Sequence, residues 1–208
     1  MDIRAPFLLM ALPGLEDPEF SKTVVLIVSQ DEEGAAGFVL NRPSNDGENG
    51  QAVMKAELRD PEGHPIAEFS HDLFRGGPLK DDALFLVHNL GVLSESDIGL
   101  GEGLVLSQDP DGFQKALSVQ ANQKDRSLKF FLGTSGWERG QLEQEIHQGL
   151  WYPVPLGSSQ AGDFVFRPWV DSQDESVGHW SQSYWEELLA SVGLDPKVLG
   201  NSGGGELN

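Results

Sequence analysis

The stretch GTSGWERGQLEQEIHQGLWYPVP, Gly133 to Pro155, decides how this chain is read. Leu142, Ile146 and Leu150 recur at every fourth position, the stripe of an amphipathic helix. Gly149 supplies its stop, and Trp151 to Leu156 is suited to a returning strand. On the other side, Ser127 to Gly133 (SLKFFLG) reads as a strand. The segment between, Gly133 to Gly140, reads as a glycine turn with Trp137 plugging the core. The stretch is thus strand, glycine turn, helix, strand.

Working outward, Asp109-Pro110-Asp111-Gly112 is a helix start. Asp109 can accept from the first free amides, and Pro110 sits where a missing N–H costs nothing. Phe113, Leu117 and Ala121 share the inner face of that helix. Thr23 to Gln30 is apolar and β-branched at nearly every position, as expected of a strand covered on both faces. Ala35 to Asn41 returns beside it across the Asp31–Gly34 turn. Phe7 to Leu12 is a first strand rather than part of a signal peptide: Asp2 spoils the basic start, and Glu16 and Asp17 follow Pro13. Leu73–Leu79, Ala83–Leu90 and Leu104–Ser107 are further strands. Ala52–Arg59 reads as a short helix and Pro61–Ser70 as irregular.

Hairpins mixed with at least one crossover predict an α/β domain, with α+β as the alternative. The expected architecture is a mixed β-sheet flanked by helices, a single compact layered domain over residues 1–166. Beyond Phe166 the composition turns polar and acidic as far as Ser183. Residues 167–208 are expected to form an irregular C-terminal extension, with a short helix at Tyr184–Val192 packing on the domain and a mobile tail from Gly200.

Composition narrows the function. At 208 residues, 38% of them apolar, the chain is long enough for a proper core. It has no cysteine, which removes disulfides, thiolate nucleophiles and cysteine zinc sites and suits a cytoplasmic setting. Thr23 to Val28 is far short of the ~20 apolar residues that span a membrane, so no membrane association is expected. The formal charge of −19 opposes direct nucleic-acid binding, whose affinity comes from cations displacing counterions off phosphates. Lys115, Lys124, Arg126 and Lys129 read as a solvated helix face and strand entry, with a phosphate-binding patch as the alternative.

Candidate chemistry is sparse. Gly133-x-x-Gly136-x-x-x-Gly140 lacks the Gly-Lys-Ser/Thr ending of a phosphate loop. Ser135, in Gly-Thr-Ser-Gly, is one residue short of a nucleophile elbow. No histidine pair has metal-ligand spacing, and neither metal nor cofactor is expected. Arg42 and Arg75 stand at strand ends, where a guanidinium is costly unless several acceptors meet it. One reading makes them structural clamps on carbonyls or on a carboxylate such as Asp17 or Glu143. The other makes them the walls of a cleft that holds an anionic ligand, with Ser135 and Gly136 beside it.

Several of these residues also form a set. Pro13-Gly14-Leu15-Glu16-Asp17-Pro18-x-Phe20 and Thr23-Val24-Val25 come first, then Gly34-Ala35-x-Gly37-Phe38-Val39-Leu40-Asn41-Arg42-Pro43. Gly76-Gly77-Pro78, Gly136-Trp137, Gly140-Gln141-Leu142-Glu143-x-Glu145-Ile146 and Trp151 follow. In this order, across residues 5–156, the chain resembles the YqgE/AlgH family of bacterial proteins. It departs from the family in having Thr134 where an aromatic is usual, and in lacking a histidine near Ser29-Gln30. The resemblance implies a compact mixed fold with helices flanking the sheet, and structural roles for Asn41, Pro43, Gly76, Gly77, Trp137, Gly140 and Glu143. It implies no catalytic set, and it brings a proposed role in transcriptional regulation of alginate production. Taken together, the expectation is a non-enzymatic cytoplasmic regulator acting through a protein partner. The alternative is a small-anion-binding or enzymatic protein with its cleft at Arg42, Arg75 and the Gly133–Gly140 turn.

Overall fold

The computed structural model describes residues 4–44, 53–59, 62, 64–121, 128–157, 161–167 and 177–195. The elements run β1 (Phe7–Ala11), β2 (Val24–Gln30), β3 (Gly34–Val39), β4 (Val53–Arg59), β5 (Pro65–Arg75), β6 (Leu79–His88), β7 (Ile98–Gly101) and β8 (Leu104–Ser107). Then come α1 (Pro110–Gln120), β9 (Leu128–Glu138), α2 (Gln141–His147), β10 (Trp151–Pro155), α3 (Ala161–Val165) and α4 (Val177–Ser191).

The strands join in one sheet, ordered β10-β1-β2-β3-β9-β6-β8-β7, with β5 also on β9 and β4 on β5. The pairings are antiparallel except β5 with β9. The sheet curls, so that Gly101 at the end of β7 comes back to Pro6, just ahead of β1. The fold is therefore mixed α+β, the alternative form of the expectation.

Alternation along β1 and β2 builds two cores at once. Leu8, Met10, Val24 and Leu26 join Phe38, Phe131 and residues of α4 in one cluster. Phe7, Leu9, Ala11, Val25 and Ile27 join Trp137, Leu142 and Trp151 in another. This is why β2 is apolar on consecutive residues. Asp109 caps α1 as expected, accepting from the Asp111 and Gly112 amides at 2.9 Å each.

The spine is β9. Its first half pairs with β5, Leu73 opposite Phe130 and Arg75 opposite Leu132. Its second half pairs on the same edge with β3, Gly37 opposite Ser135 and Gly34 opposite Glu138. Where β3 and β5 meet, Val39 N donates to Gly76 O at 2.9 Å and Gly76 N to Leu132 O at 2.8 Å. There is no room there for a side chain. A Cβ on Gly76 would lie 2.3 Å from Gly133 O, and one on Gly77 (φ +152°) 2.3 Å from Ser135 Oγ.

Two expectations are corrected. Gly133 to Gly136 is not a turn. It continues β9, because glycines at the crowded junction let three strands converge, and the chain reverses instead at Gly140 (φ +74°). Ala52–Arg59 is not a helix: Val53 to Arg59 form β4, paired with Pro65 to Asp72 of β5, where an irregular segment was expected. Met, Lys, Ala, Glu and Leu favour helix locally, but this preference is weak and the pairing overrides it.

The C-terminal helix is longer than expected. Trp180, Tyr184, Trp185, Leu188 and Leu189 form its inner face and are buried in the main cluster. Trp185 Nε1 donates to Ala11 O at 2.7 Å, and the Tyr184 hydroxyl to Phe164 O on α3, an element absent from the sequence reading. The expected tail from Gly200 lies outside the described residues.

Candidate functional site

Two polar constellations stand out among the described residues, one largely buried and one facing solvent. The enclosed one joins His88, Ser107 and Asp97. Ser107 Oγ donates to Asp97 Oδ1 at 2.6 Å, and His88 Nε2 lies 3.0 Å from Ser107 Oγ. With the hydroxyl hydrogen committed to the carboxylate, Nε2 must carry the ring proton. Nδ1 then accepts from Leu90 N, at 3.3 Å. Burial holds His88 below its ordinary pKa, against the pull of Asp97. Burial works to raise Asp97, but bonds from Ser107, Leu93 and Ser94 outweigh it and hold that carboxyl low. A nucleophilic triad needs histidine between serine and aspartate. Here serine is in the middle, and His88 and Ser107 are fully buried. The trio fastens the 88–98 loop to β8.

The solvent-facing constellation is a hollow of about 210 Å³ lined by Pro18, Glu19, Phe20, Val39, Arg42, Arg75, Gly77 and Pro78. The β3–β5 junction builds it. Arg42 and Arg75 are distant in sequence, yet the Arg75 amide donates to the Arg42 carbonyl at 2.7 Å. Next to them, Pro43 bridges to Phe74. Arg42 Nη2 donates to Ser21 O at 2.6 Å. Burial lowers the Arg42 pKa, opposed by Glu19, but a guanidinium stays charged at neutral pH. Arg75 is exposed. Among the described residues neither guanidinium is within ion-pair distance of a carboxylate.

The expected clamp is therefore half present. Arg42 grips a carbonyl, but among the described residues neither Asp17 nor Glu143 meets an arginine. Asp17 Oδ1 accepts from Glu19 N at 2.8 Å, and Glu143, exposed, accepts from Gln30 Nε2 at 2.7 Å. The other two candidates for ligand contact lie outside the hollow. Ser135 is fully buried and donates to Gly76 O at 3.0 Å. Gly136 is exposed and pairs with Ala36, and a Cβ there would lie 2.8 Å from Leu79 Cδ1.

Asn41 and Trp137 each join several elements. Asn41 is buried; its Oδ1 accepts from Val24 N at 2.9 Å, and its Nδ2 donates to Lys22 O at 2.9 Å and Ser181 O at 2.8 Å. It thereby ties β2 and α4 to the end of β3. Trp137 is 6% exposed and packs edge-on against Trp151. Both indoles donate to Glu145 Oε2, at 2.9 and 2.8 Å. Sequence reasoning missed Glu145, because nothing in its spacing shows that one carboxylate on α2 serves two tryptophans on different strands. It also missed Glu19 as a wall of the hollow, since that residue reads as ordinary loop.

Among the described residues no three His, Asp or Glu side chains cluster to hold a metal, and no helix is long and apolar enough to cross a membrane.

A family model described as AlgH-like matches residues 8–197. The chain belongs to the AlgH-like family. That match runs past residue 166 and takes in α4. The UPF0301 protein AlgH of Pseudomonas aeruginosa is 36% identical over 148 residues, covering 71% of this chain and 74% of the relative. A UPF0301 protein of Pseudomonas putida is 33% identical over 196 residues, covering 94% and 92%. Among solved structures, the solution structure of P. aeruginosa AlgH superposes with a TM-score of 0.59 at 26% identity, over all of both chains. A Corynebacterium diphtheriae protein reaches 0.63 at 21% identity, over 97% and 92%. That last likeness is one of fold.

Proposed function

We propose that this chain is a non-catalytic regulatory protein that works by binding, and that its recognition site takes a small anionic group between Arg42 and Arg75. One observation carries the reading: two guanidinium groups, joined through their backbones, line one hollow without a carboxylate partner among the described residues. Arginine forks suit carboxylate and phosphate oxygens, and the contact gains strength where water is partly excluded. Arg42 is already held by Ser21, so little freedom is lost when a ligand arrives.

The regulatory half of the proposal draws on the charge of −19, which disfavours a nucleic-acid target, and on a site that lacks an accessible nucleophile–base pair. In this reading the ligand-bound chain acts in the cytoplasm on a protein partner. Isothermal titration of the full chain with inorganic phosphate and with small carboxylates, amino acids included, tests the site. At least one should bind saturably, with Arg75→Ala weakening it tenfold or more. Absence of binding, or equal affinity in Arg75→Ala, would refute the site.

A further inference from the structure

The hollow carries charge of both signs. Glu19 lines it together with Arg42 and Arg75, and its carboxylate is close enough to oppose the desolvation of Arg42. Yet Glu19 and Arg42 do not close into an ion pair. The Arg42 side chain and the Glu19 backbone are each anchored. Arg42 is tethered to Ser21 O at 2.6 Å, while the Glu19 amide is tied to Asp17 Oδ1 at 2.8 Å. The turn between is closed by Phe20 N and Ser21 N donating to Asp17 O at 3.1 and 2.7 Å. The Glu19 backbone is thus fixed beside the arginines while its exposed carboxylate makes no bond among the described residues, in a hollow whose other walls include Pro18, Phe20, Val39 and Pro78.

A simple anion fits this arrangement badly. It would gain from the guanidinium groups but meet the Glu19 carboxylate as a like charge. A ligand that also carries a cationic donor would satisfy both sides. Size adds a limit: about 210 Å³ is below the roughly 300–1,000 Å³ of pockets for drug-sized molecules. We propose that the ligand of this hollow is a small zwitterion of the amino-acid kind, its carboxylate on Arg42 and Arg75 and its ammonium on Glu19. The inference rests on the anion-binding reading above and narrows it.

Titration calorimetry separates the two. The probes are alanine, serine and leucine, the carboxylic acids that match them without the amino group, and inorganic phosphate. All are run on the full chain and on Glu19→Gln, an exposed position whose side chain makes no hydrogen bond among the described residues. At least one amino acid should bind ten times or more tighter than its deaminated partner, and Glu19→Gln should erase that ratio. Deaminated acids or phosphate binding as tightly as the amino acids overturns the zwitterion and leaves the anion site standing. So does a ratio unchanged in Glu19→Gln. No binding by any probe overturns both.

Discussion

The amine of Lys129 lies 4.1 Å from the centroid of the Phe74 ring, sealed beneath α4. The residue is 4% exposed, and the amine's one hydrogen bond among the described residues, to Arg167 O, is long at 3.4 Å. Burial lowers its pKa from 10.5 to about 7; the carboxylate of Asp72 opposes this and the guanidinium of Arg167 adds to it. The sign follows directly. Between about 7 and 10.5 the unfolded chain binds a proton that the folded chain does not, so this group's contribution to stability rises with pH across that window. Going from pH 7 to 9.5 the gain is roughly 3 kcal/mol. Urea unfolding of Lys129→Met should be flatter over this range than wild type, and the variant should be no less stable at pH 7. An equal pH slope in both proteins would contradict the buried amine.

His88 works in the acid direction. Its folded pKa is lowered by burial, so its contribution is present above the ordinary value of 6.5 and lost as pH falls below it. Protonation would also set an Nδ1 proton against the Leu90 amide that now donates to that nitrogen. Wild-type stability should drop between pH 7 and 5 more steeply than that of His88→Gln, which can still donate to Ser107. Parallel curves would sink the assignment.

Glu145 is the acceptor for two buried indoles. Glu145→Leu leaves two N–H groups without a partner and should cost about 2–4 kcal/mol. Glu145→Gln keeps an acceptor oxygen and should cost much less. Trp137→Ala should cost roughly 3–5 kcal/mol, the range for a buried tryptophan. Urea midpoints read all three, and a Glu145→Leu loss no larger than that of Glu145→Gln would remove the acceptor argument.

Gly77 is a steric requirement. A methyl group there would meet Ser135 Oγ at 2.3 Å and Ser135 N at 2.5 Å, and φ is +152°. Gly77→Ala should therefore destabilise by more than about 2 kcal/mol. Gly91→Ala, at φ +84° but with open space around it, should cost only about 1 kcal/mol. Thermal unfolding giving the two the same shift would mean the junction is looser than drawn.

Local signals were legible where the physics is local. The Asp109-Pro110 start carries its own cap, and the unbroken apolar run of β2 reports burial on both faces. The stripe Leu142, Ile146, Leu150 marked α2, and Trp137 read correctly as core. Reading failed where a partner decides. Val53 to Arg59 favours helix until β5 pairs with it, and Gly133 to Gly136 looks like a turn until three strands crowd it. Trp180 and Tyr184 gave little hint, in isolation, that α4 fills the main core.

The candidate site divides the same way. Residue types in a row were enough to single out Arg42 and Arg75 as charges in need of acceptors, because the cost of desolvating a guanidinium does not depend on the fold. That they meet, that Glu19 faces them, and that Ser135 turns inward to Gly76 depend on where β9 changes partner from β5 to β3. Such a junction is made by backbone bonds between residues far apart along the chain, and no local pattern of side chains encodes it.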